Sequence, residues 1–317
     1  MIQPLKRTLT AIAAAAALAS AAHAAAPMVK TPAPGFFRVM VGDIEVTPVS
    51  DGTVDLPMDQ LLRQKPELTK ATLEKNFLKV PVETSDNAFL INTGSKLVLV
   101  DTGAGALFGP TLGKFMQNLK NAGYQPEQID EIYITHMHGD HVGGLVHDGQ
   151  RSFPNAVVRA GKLDADFWLS KANMDKAPAD KKGFFQGAMA SINPYVQAGK
   201  FKAIESNGEL VPGVSAVAEH GHTPGHTTYV VESKGQKLVL IGDLIHVAAV
   251  QMDNPTVTIG FDSDEKAAYA ARKKVFDDAA RNGYLIGGAH LQFPGLGHLQ
   301  TQGKGYRWVP VNYTQMR

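Results

Sequence analysis

The chain of 317 residues contains no cysteine. Disulfide bonds, thiolate metal ligands and a cysteine nucleophile are therefore excluded, and any bound metal must use histidine, carboxylate or backbone oxygen. The chain also lacks an excess of charge of either sign, because 31 basic and 30 acidic residues leave a formal net charge of +1. A nearly neutral chain gives no electrostatic indication of nucleic acid or of an anionic membrane. We therefore expect neither of them as a partner.

The longest apolar run is too short for a transmembrane helix of about 20 residues. This run, residues 9–22, follows two basic residues and precedes the tripeptide Ala22-His23-Ala24, which has small residues at the two positions that signal peptidase reads. Residues 1–26 are therefore predicted to be a cleavable signal peptide, and the protein is predicted to be periplasmic or secreted. The alternative is an alanine-rich helix of the folded domain, which the missing amphipathic period disfavours.

Residues 27–317 are predicted to form one mixed α/β domain, since apolar strand patterns alternate with helical patterns and no low-complexity linker divides them. The predicted strands are residues 36–41, 44–49, 88–91, 97–100, 129–135, 156–159, 214–218, 227–232, 237–241 and 284–286. The predicted helices are residues 113–122, 163–170, 183–196 and 264–281. Residues 56–80 are predicted to be partly helical and to form a lid or a packing arm.

Four potential metal ligands occur within six residues directly after a predicted strand. They are His136, His138, Asp140 and His141, in the run His-Met-His-Gly-Asp-His. A loop at the C-terminal end of a strand can direct several side chains to one point, which is where α/β folds place their sites. Gly139 permits the tight backbone that this requires. A single histidine would indicate little, but this spacing predicts a metal site.

Three more predicted strands lead into glycine-containing turns with a ligand-type residue. The first of these turns contains Glu219, His220, His222 and His226, the second contains Asp243 and the third contains His290. Neutral imidazole and carboxylate suit zinc, cobalt, manganese or iron. Structural zinc sites are usually closed and rich in cysteine, whereas this set is open and mixes nitrogen with oxygen. About seven ligands are too many for one tetrahedral ion and suit two ions that share a carboxylate and a hydroxide.

These runs together resemble the metallo-β-lactamase superfamily, whose signature is HxHxDH. The matching elements are HMHGDH at residues 136–141, HTPGH at 222–226, GD at 242–243 and AH at 289–290. The resemblance covers essentially all of the mature chain and implies a four-layer αββα sandwich with the metals at one edge of its two sheets. It implies a first metal held by His136, His138 and His222, a second held by Asp140, His141 and His290, and Asp243 as the bridge. His220 and His226 have no place in that pattern and are expected to support or pack.

A closer resemblance, to the methyl parathion hydrolase group and its lactonase relatives, lies in four further segments. They are residues 153–159, 166–170, 175–178 and 303–307. Those enzymes are exported binuclear hydrolases and usually dimers, so the resemblance implies a homodimer and an aromatic substrate pocket. The aromatic positions match Phe108, Trp168 and Phe184, whose alternative role is ordinary core packing.

The resemblance and the ligand types together predict a metal-dependent hydrolase with two divalent ions. Zinc is the expected metal, with manganese, cobalt and iron as alternatives. A hydroxide between the metals is expected to attack carbon or phosphorus while one metal polarises the substrate oxygen. Asp243 is predicted to orient the hydroxide and accept its proton, and Asp140 is the second predicted catalytic residue.

Two small-molecule substrate classes fit this chemistry: a lactone or aryl ester of the dihydrocoumarin type, and an organophosphate triester. The predicted pocket also contains His246, Ile259 and Phe261, whose bulk leaves room for a flat ring lactone and less for a tetrahedral triester. We therefore predict lactone or aryl-ester hydrolysis as the main activity, with weaker organophosphate triesterase activity. The alternative is that organophosphate hydrolysis, as in methyl parathion hydrolase, is the main activity.

Other functions fit the sequence less well. The commonest zinc β-lactamases use a cysteine ligand that this chain lacks, and a nuclease would need a basic groove. A glyoxalase-type thioesterase shares the ligand types, but export disfavours a cytosolic glutathione thioester. A non-catalytic periplasmic metal-binding protein would explain the histidines but not an open ligand set with a bridging carboxylate.

Overall fold

Two seven-stranded β-sheets provide the framework of the molecule. The computed structural model describes residues 26–314. Residues 26–33 contain no helix or strand, and every element named below belongs to the unit that begins at Pro34. The predicted signal peptide, residues 1–26, lies outside the described residues except for Ala26.

The strands follow one another along the chain in two groups. The first nine are β1 Val39–Val41, β2 Ile44–Leu56, β3 Val82–Asn92, β4 Leu97–Val100, β5 Glu131–Ile134, β6 Val146–His147, β7 Gln150–Arg151, β8 Val157–Gly161 and β9 Phe201–Ile204. The remaining seven are β10 Gly208–Val211, β11 Val214–Ala218, β12 Thr227–Ser233, β13 Gln236–Leu240, β14 Leu285–Gly287, β15 Leu296–Gln302 and β16 Gly305–Pro310. The first sheet has the order β1-β2-β3-β4-β5-β8-β9, the second runs from β10 to β16 in sequence, and β6 and β7 form a separate hairpin.

The helices lie between the strands along the chain. They are α1 Met58–Leu61, α2 Pro66–Lys75, α3 Phe115–Asn121, α4 Gly139–Val142, α5 Lys162–Trp168, α6 Lys171–Lys176, α7 Lys182–Gln197, α8 Ala248–Gln251 and α9 Glu265–Asn282. Of these, α3, α7 and α9 cover the outer faces of the sheets. Asp264 caps α9 by accepting a hydrogen bond from the Ala267 amide at 2.9 Å, as an N-cap aspartate is expected to do. No helix within residues 26–314 combines the length and apolarity that a membrane crossing requires.

Three apolar layers hold the sheets and helices together. Between the sheets, inward side chains of the first sheet, such as Val46 and Ile91, pack against those of the second, such as Val231 and Leu240. A second cluster joins the outer face of the first sheet to α3 and α7, and a third joins the outer face of the second sheet to α9. Burial of these faces is the main source of stability in such a fold. The predicted four-layer αββα sandwich is thereby confirmed.

Parallel pairing brings the ends of several strands to one edge of the molecule. In the first sheet β4 pairs with β5 and β5 with β8 in parallel, and in the second sheet β13 pairs with β14 in parallel. The C-terminal ends of parallel strands lie side by side, so the loops that follow them meet. Residues 136–141 follow β5, Asp243 follows β13 and His290 follows β14.

Most predicted elements are present, with shifts of a few residues at their ends. The turn Gly42-Asp43 joins β1 to β2 so that Val41 pairs with Ile44, and Gly42 has a φ of 58°, which glycine adopts readily in a two-residue hairpin turn. Strands β6, β7, β9, β10, β15 and β16 and the short helices α4, α6 and α8 were not predicted. Residues 56–80, predicted as a lid or a packing arm, are an arm: α1 and α2 pack against residues 247–259.

Candidate metal centre

The loops at the ends of the strands bring all seven predicted ligands together. His136 and His138 follow β5, and Asp140 and His141 lie on α4 in the same loop. The other three come from the second sheet and are His222, Asp243 and His290. Their donor atoms form overlapping groups in which all atoms lie within 4.8 Å of one another. A histidine and aspartate metal site is therefore present at the predicted edge.

Three imidazoles and one carboxylate form the first group. The Nε2 atom of His136 lies 3.0 Å from Nδ1 of His138 and 3.2 Å from Nε2 of His222. Nε2 of His222 lies 3.1 Å from Nδ1 of His138 and 3.3 Å from Oδ2 of Asp243. Ligands of a tetrahedral zinc ion, each about 2.0–2.2 Å from the metal, lie about 3.3 Å apart. The donor spacing of this group fits such an ion.

The second group consists of Asp140, His141 and His290, and Asp243 of the first group lies 3.2 Å from both of its histidines and so adjoins both groups. Nε2 of His290 lies 3.6 Å from Oδ2 of Asp140 and 3.2 Å from Oδ2 of Asp243. Nε2 of His141 lies 3.2 Å from Oδ1 of Asp243, yet both atoms are buried without a hydrogen-bond partner among the described residues. Buried polar atoms without a partner are costly, and a cation between them would satisfy both. The residues of this group therefore also fit a divalent metal.

The electrostatics of the cluster favour a cation. Burial lowers the pKa of His136 and of His138 well below the usual range, so these rings are neutral, as metal ligands must be. Burial also acts to lower the pKa of His222, but hydrogen bonds to Asp243 and Asp262 outweigh it and raise this pKa to about 9. The negative charge that favours a proton on His222 equally favours a bound metal ion.

Two buried aspartates that were not predicted orient the histidines of the site. Asp262 Oδ1 lies 2.8 Å from Nδ1 of His222, and Asp101 Oδ2 lies 2.9 Å from Nδ1 of His141. A carboxylate on the far nitrogen fixes the ring and raises its basicity toward a metal. Asp101 follows β4 just as the ligands follow their strands, so the same pattern could have identified it. Asp262 lies in an irregular segment where the sequence carries no comparable pattern.

The two histidines without a place in the ligand pattern lie in different environments. His226 is fully buried, with Nδ1 3.1 Å from the carbonyl oxygen of Glu219 and Nε2 accepting a hydrogen bond from the Asp243 amide at 3.1 Å. Burial lowers the pKa of His226 to about 3, which keeps the ring neutral and able to accept. His220 is exposed. The structure therefore places His226 beneath Asp243 and His220 at the surface.

Asp86 is a further buried carboxylate beside the second group. It is 2% exposed, and its Oδ2 has no hydrogen-bond partner within residues 26–314. Burial, together with the charges of Asp51 and Asp140, raises its pKa well above the usual range. No sequence pattern singles it out, because it lies inside β3 and not after a strand.

An aromatic cavity of about 400 Å³ opens beside the first group. His138 lines it, and its ring centroid lies 5.3 Å from that of Trp168 and 5.1 Å from that of Phe184. The rest of its wall includes Phe167, Phe185 and Phe261. Of the six predicted pocket residues, Trp168, Phe184 and Phe261 line this cavity.

The other three predicted pocket residues lie elsewhere. His246 lies between the cavity and the second group, with Nε2 3.1 Å from Asp243 Oδ2 and its ring centroid 6.1 Å from that of Phe261. Phe108 is 45% exposed and lies over the backbone of Gly139. Ile259 is fully buried and pairs with Leu62 of the arm, so it belongs to the core and not to the cavity wall.

Comparison with known protein families finds one match over most of the chain. The model of the family described as "Metallo-beta-lactamase superfamily" matches residues 82–285. Among curated proteins, an N-acyl homoserine lactonase of Bacillus cereus is 25% identical over 228 residues, which are 66% of this chain and 81% of the lactonase. The relative therefore shares most of its length with this chain.

Two solved structures resemble the chain over nearly its whole length. A hydrolase of the beta-lactamase superfamily named AbOPH is 38% identical, with a TM-score of 0.85 over 90% of this chain and 100% of that protein. AidC, described as a dizinc quorum-quenching lactonase in complex with a product homoserine, is 27% identical, with a TM-score of 0.81 over 89% of this chain and 99% of AidC.

Proposed function

The chain belongs to the metallo-beta-lactamase superfamily, and from this premise we propose that it hydrolyses a lactone or aryl ester with two divalent metal ions. A metal-dependent hydrolase related to lactonases is supported by the family match, the relatives and the histidine and aspartate cluster. The proposal adds the substrate class and the roles of individual residues. Zinc is the proposed metal, in keeping with the dizinc description of AidC and with the ligand types.

The observation that carries the substrate class is the aromatic cavity that His138 lines. Its wall includes several aromatic rings, and Phe184 lies 6.5 Å from Phe261 and 6.3 Å from Trp168 between ring centroids. Apolar rings stack favourably on a flat aromatic substrate and leave little width for a tetrahedral centre with several arms. We therefore propose that a ring lactone or aryl ester lies in this cavity with its carbonyl carbon toward His138.

The proposed chemistry combines bound metal with two carboxylates of the chain. Divalent ions held by the seven ligands would supply a Lewis acid and a nucleophilic oxygen from water near neutral pH. Asp243 lies within 3.6 Å of His136 and 3.2 Å of both His141 and His290, so it would hold both ions. The side chain of Asp140 is 25% exposed, the most open of the set, so its carboxylate is placed to pass a proton to solvent.

The test is a panel of kcat/KM values on protein of one defined zinc content. Dihydrocoumarin represents ring lactones, phenyl acetate represents aryl esters, and methyl parathion represents phosphotriesters. We expect the highest value on the lactone or the aryl ester. A higher value on methyl parathion would contradict the proposed preference for a lactone or aryl ester. Full zinc content without turnover of any of the three substrates would favour the alternative of a non-catalytic metal-binding protein.

The lactonase relatives favour one more specific candidate. AidC and the Bacillus cereus protein are described as a quorum-quenching lactonase and an N-acyl homoserine lactonase, which makes an acylated homoserine lactone the second substrate to test. Its acyl chain would lie against the aromatic wall. A kcat/KM on N-hexanoyl homoserine lactone above that on dihydrocoumarin would assign this activity as the principal one.

Export and dimerisation stay predictions from the sequence. We propose that residues 1–26 are removed on export, which N-terminal sequencing of the mature protein would test. We also propose a homodimer, which sedimentation equilibrium would test. An unprocessed N-terminus or a monomer at micromolar concentration would contradict the respective proposal.

A further inference from the structure

Helix α5 contains a fully buried carboxylate that belongs to neither ligand group. The side chain of Asp164 is 0% exposed. Its Oδ2 accepts a hydrogen bond from the Met137 amide at 2.9 Å, and its Oδ1 accepts one from the Gly225 amide at 2.6 Å. Burying a charge costs free energy unless hydrogen bonds compensate it, so a carboxylate at this position calls for a role.

The two amides belong to the two loops that carry the histidines of the first group. Met137 lies between His136 and His138 after β5, and Gly225 lies three residues after His222. These loops come from different sheets. The carboxylate of Asp164 thus joins the first-sheet loop to the second-sheet loop through one backbone hydrogen bond to each.

The contact between α5 and the second loop leaves no space for a side chain. A Cβ atom added to Gly225 would lie 2.2 Å from the backbone nitrogen of Asp164. Atoms this close must move apart, so the backbone of the loop rests directly on the start of α5. The distance between helix and loop is therefore fixed by backbone contact as well as by the carboxylate.

The same helix also carries a wall of the aromatic cavity. Trp168 lies four residues after Asp164, which places the two side chains on one face of α5. The Trp168 ring centroid lies 5.3 Å from that of His138. One short helix therefore contacts both ligand loops at its start and the cavity beside His138 at its end.

We propose that Asp164 is a positioning residue that fixes the relative positions of the three histidines of the first group and their position relative to Trp168. The inference rests on the proposed function in taking these histidines as metal ligands. It predicts an effect on the first group and little effect on the second, because the Met137 amide lies between His136 and His138 and the Gly225 amide lies in the loop of His222. Asn cannot replace it, since an amide NH2 would face one of the two N–H donors.

The two groups are separated by measuring cobalt(II) binding in two parent variants. His290→Ala removes a ligand of the second group and leaves the first, and His138→Ala does the reverse. Asp164→Asn is then added to each parent, and the dissociation constant is measured by visible absorption on metal-stripped protein. We expect binding to weaken about 10- to 100-fold in the His290→Ala parent, as for other groups that orient ligands, and less than about 3-fold in the His138→Ala parent.

Asp51→Asn is the matched control in both parents. Asp51 is also a buried carboxylate that accepts only backbone amides, from Ala104, Gly113 and Phe115 at 2.8–2.9 Å, and none of these flanks a first-group histidine. We expect a comparable loss of thermal stability with unchanged affinity in the His290→Ala parent. If Asp164→Asn does not fold, Asp164→Ser, which presents no amide NH2, is measured instead.

The outcomes separate this inference from the proposed function. Equal weakening in both parents, or none in the His290→Ala parent, would overturn the role of Asp164. A loss of cobalt affinity in the first group that is as large for Asp51→Asn as for Asp164→Asn would overturn it too. Failure of cobalt to bind either parent would instead contradict the metal site itself.

Discussion

The two sheets contribute to the site in different ways. The first sheet supplies four predicted ligands from one loop, residues 136–141, whereas the second supplies three from three loops, at His222, Asp243 and His290. In the half of the site that the first sheet supplies, local backbone geometry brings the side chains together. In the second half, only the pairing of β11 to β14 and the packing behind those strands can do so. The second half should therefore depend more on buried polar contacts between residues far apart in sequence.

The contacts behind the second-sheet ligands meet this expectation. Arg272 on α9 is 1% exposed and donates hydrogen bonds to the carbonyl oxygens of Leu244, Pro255 and Val257. These carbonyls belong to the segment that follows Asp243. His226 accepts a hydrogen bond from the Asp243 amide, and Asp262 contacts Nδ1 of His222. A buried network of this kind must be satisfied in full to be stable.

Asp243→Asn should have the largest effect, because Asp243 adjoins both groups. Removing its charge is expected to lower kcat/KM by about 10²–10³, as loss of a preorganised electrostatic group does, and to reduce the content of at least one metal. Asp140→Asn, in the compact first-sheet loop, should lower it less because Asp140 belongs to the second group alone. Turnover and metal content are measured together. Near-normal turnover of Asp243→Asn with full metal content would refute the bridging role.

How far the site could be predicted follows from the same comparison. The first-sheet ligands were predictable because their spacing is local, and the second-sheet ligands because each follows a strand. The strand-end pattern could not distinguish Asp101, which supports His141, from a ligand, since only distance to the cluster decides. Ile259 was assigned to the pocket, but the pairing of the arm with residue 259 is a long-range contact that no local pattern reveals.

The fold shows the same limit. The two-residue gap between the predicted strands 36–41 and 44–49 and the start of the predicted helix 264–281 are local signals. The structure agrees with both, since β1 ends at Val41, β2 begins at Ile44 and α9 begins at Glu265. The hairpin β15–β16 was missed because its strands mix polar and apolar residues without strict alternation, and the last three residues of β15 are exposed. Such strands are defined by their neighbours in the sheet and not by their own sequence.

Arg272→Met should have a smaller effect than Asp243→Asn and a larger effect than a surface substitution. It removes three hydrogen bonds from a buried cation, so we expect the free energy of unfolding to fall by about 2–4 kcal/mol. Arg159→Met is the first-sheet counterpart, because Arg159 makes a partly exposed ion pair with Glu131 at 2.7 Å, worth about 1 kcal/mol or less. Urea unfolding of the metal-stripped proteins measures both. Equal losses of unfolding free energy in the two variants would show that the half of the site from the second sheet does not depend specially on its buried contacts.

A pair of substitutions tests whether each half orients its own histidine. Asp101→Asn should weaken the second group, through His141, and Asp262→Asn should weaken the first, through His222. Loss of an orienting carboxylate typically lowers metal affinity 10- to 100-fold. Zinc affinity is measured by competition with a chelating dye in the His138→Ala and His290→Ala parents. Weakening of the opposite group by either variant would contradict the assignment of ligands to the two groups.

His220→Ala should have the smallest effect, although it changes a histidine only two residues from a ligand. His220 is exposed, and the structure records no hydrogen bond or ion pair for it within residues 26–314. Removing such a side chain usually changes stability by less than about 0.5 kcal/mol. Thermal unfolding and metal content should therefore match the unsubstituted protein. Loss of metal would show that His220 is a ligand, which neither the strand-end pattern nor the geometry of the two groups predicts. The backbone around Gly221 would then have to turn the His220 side chain toward the metal site.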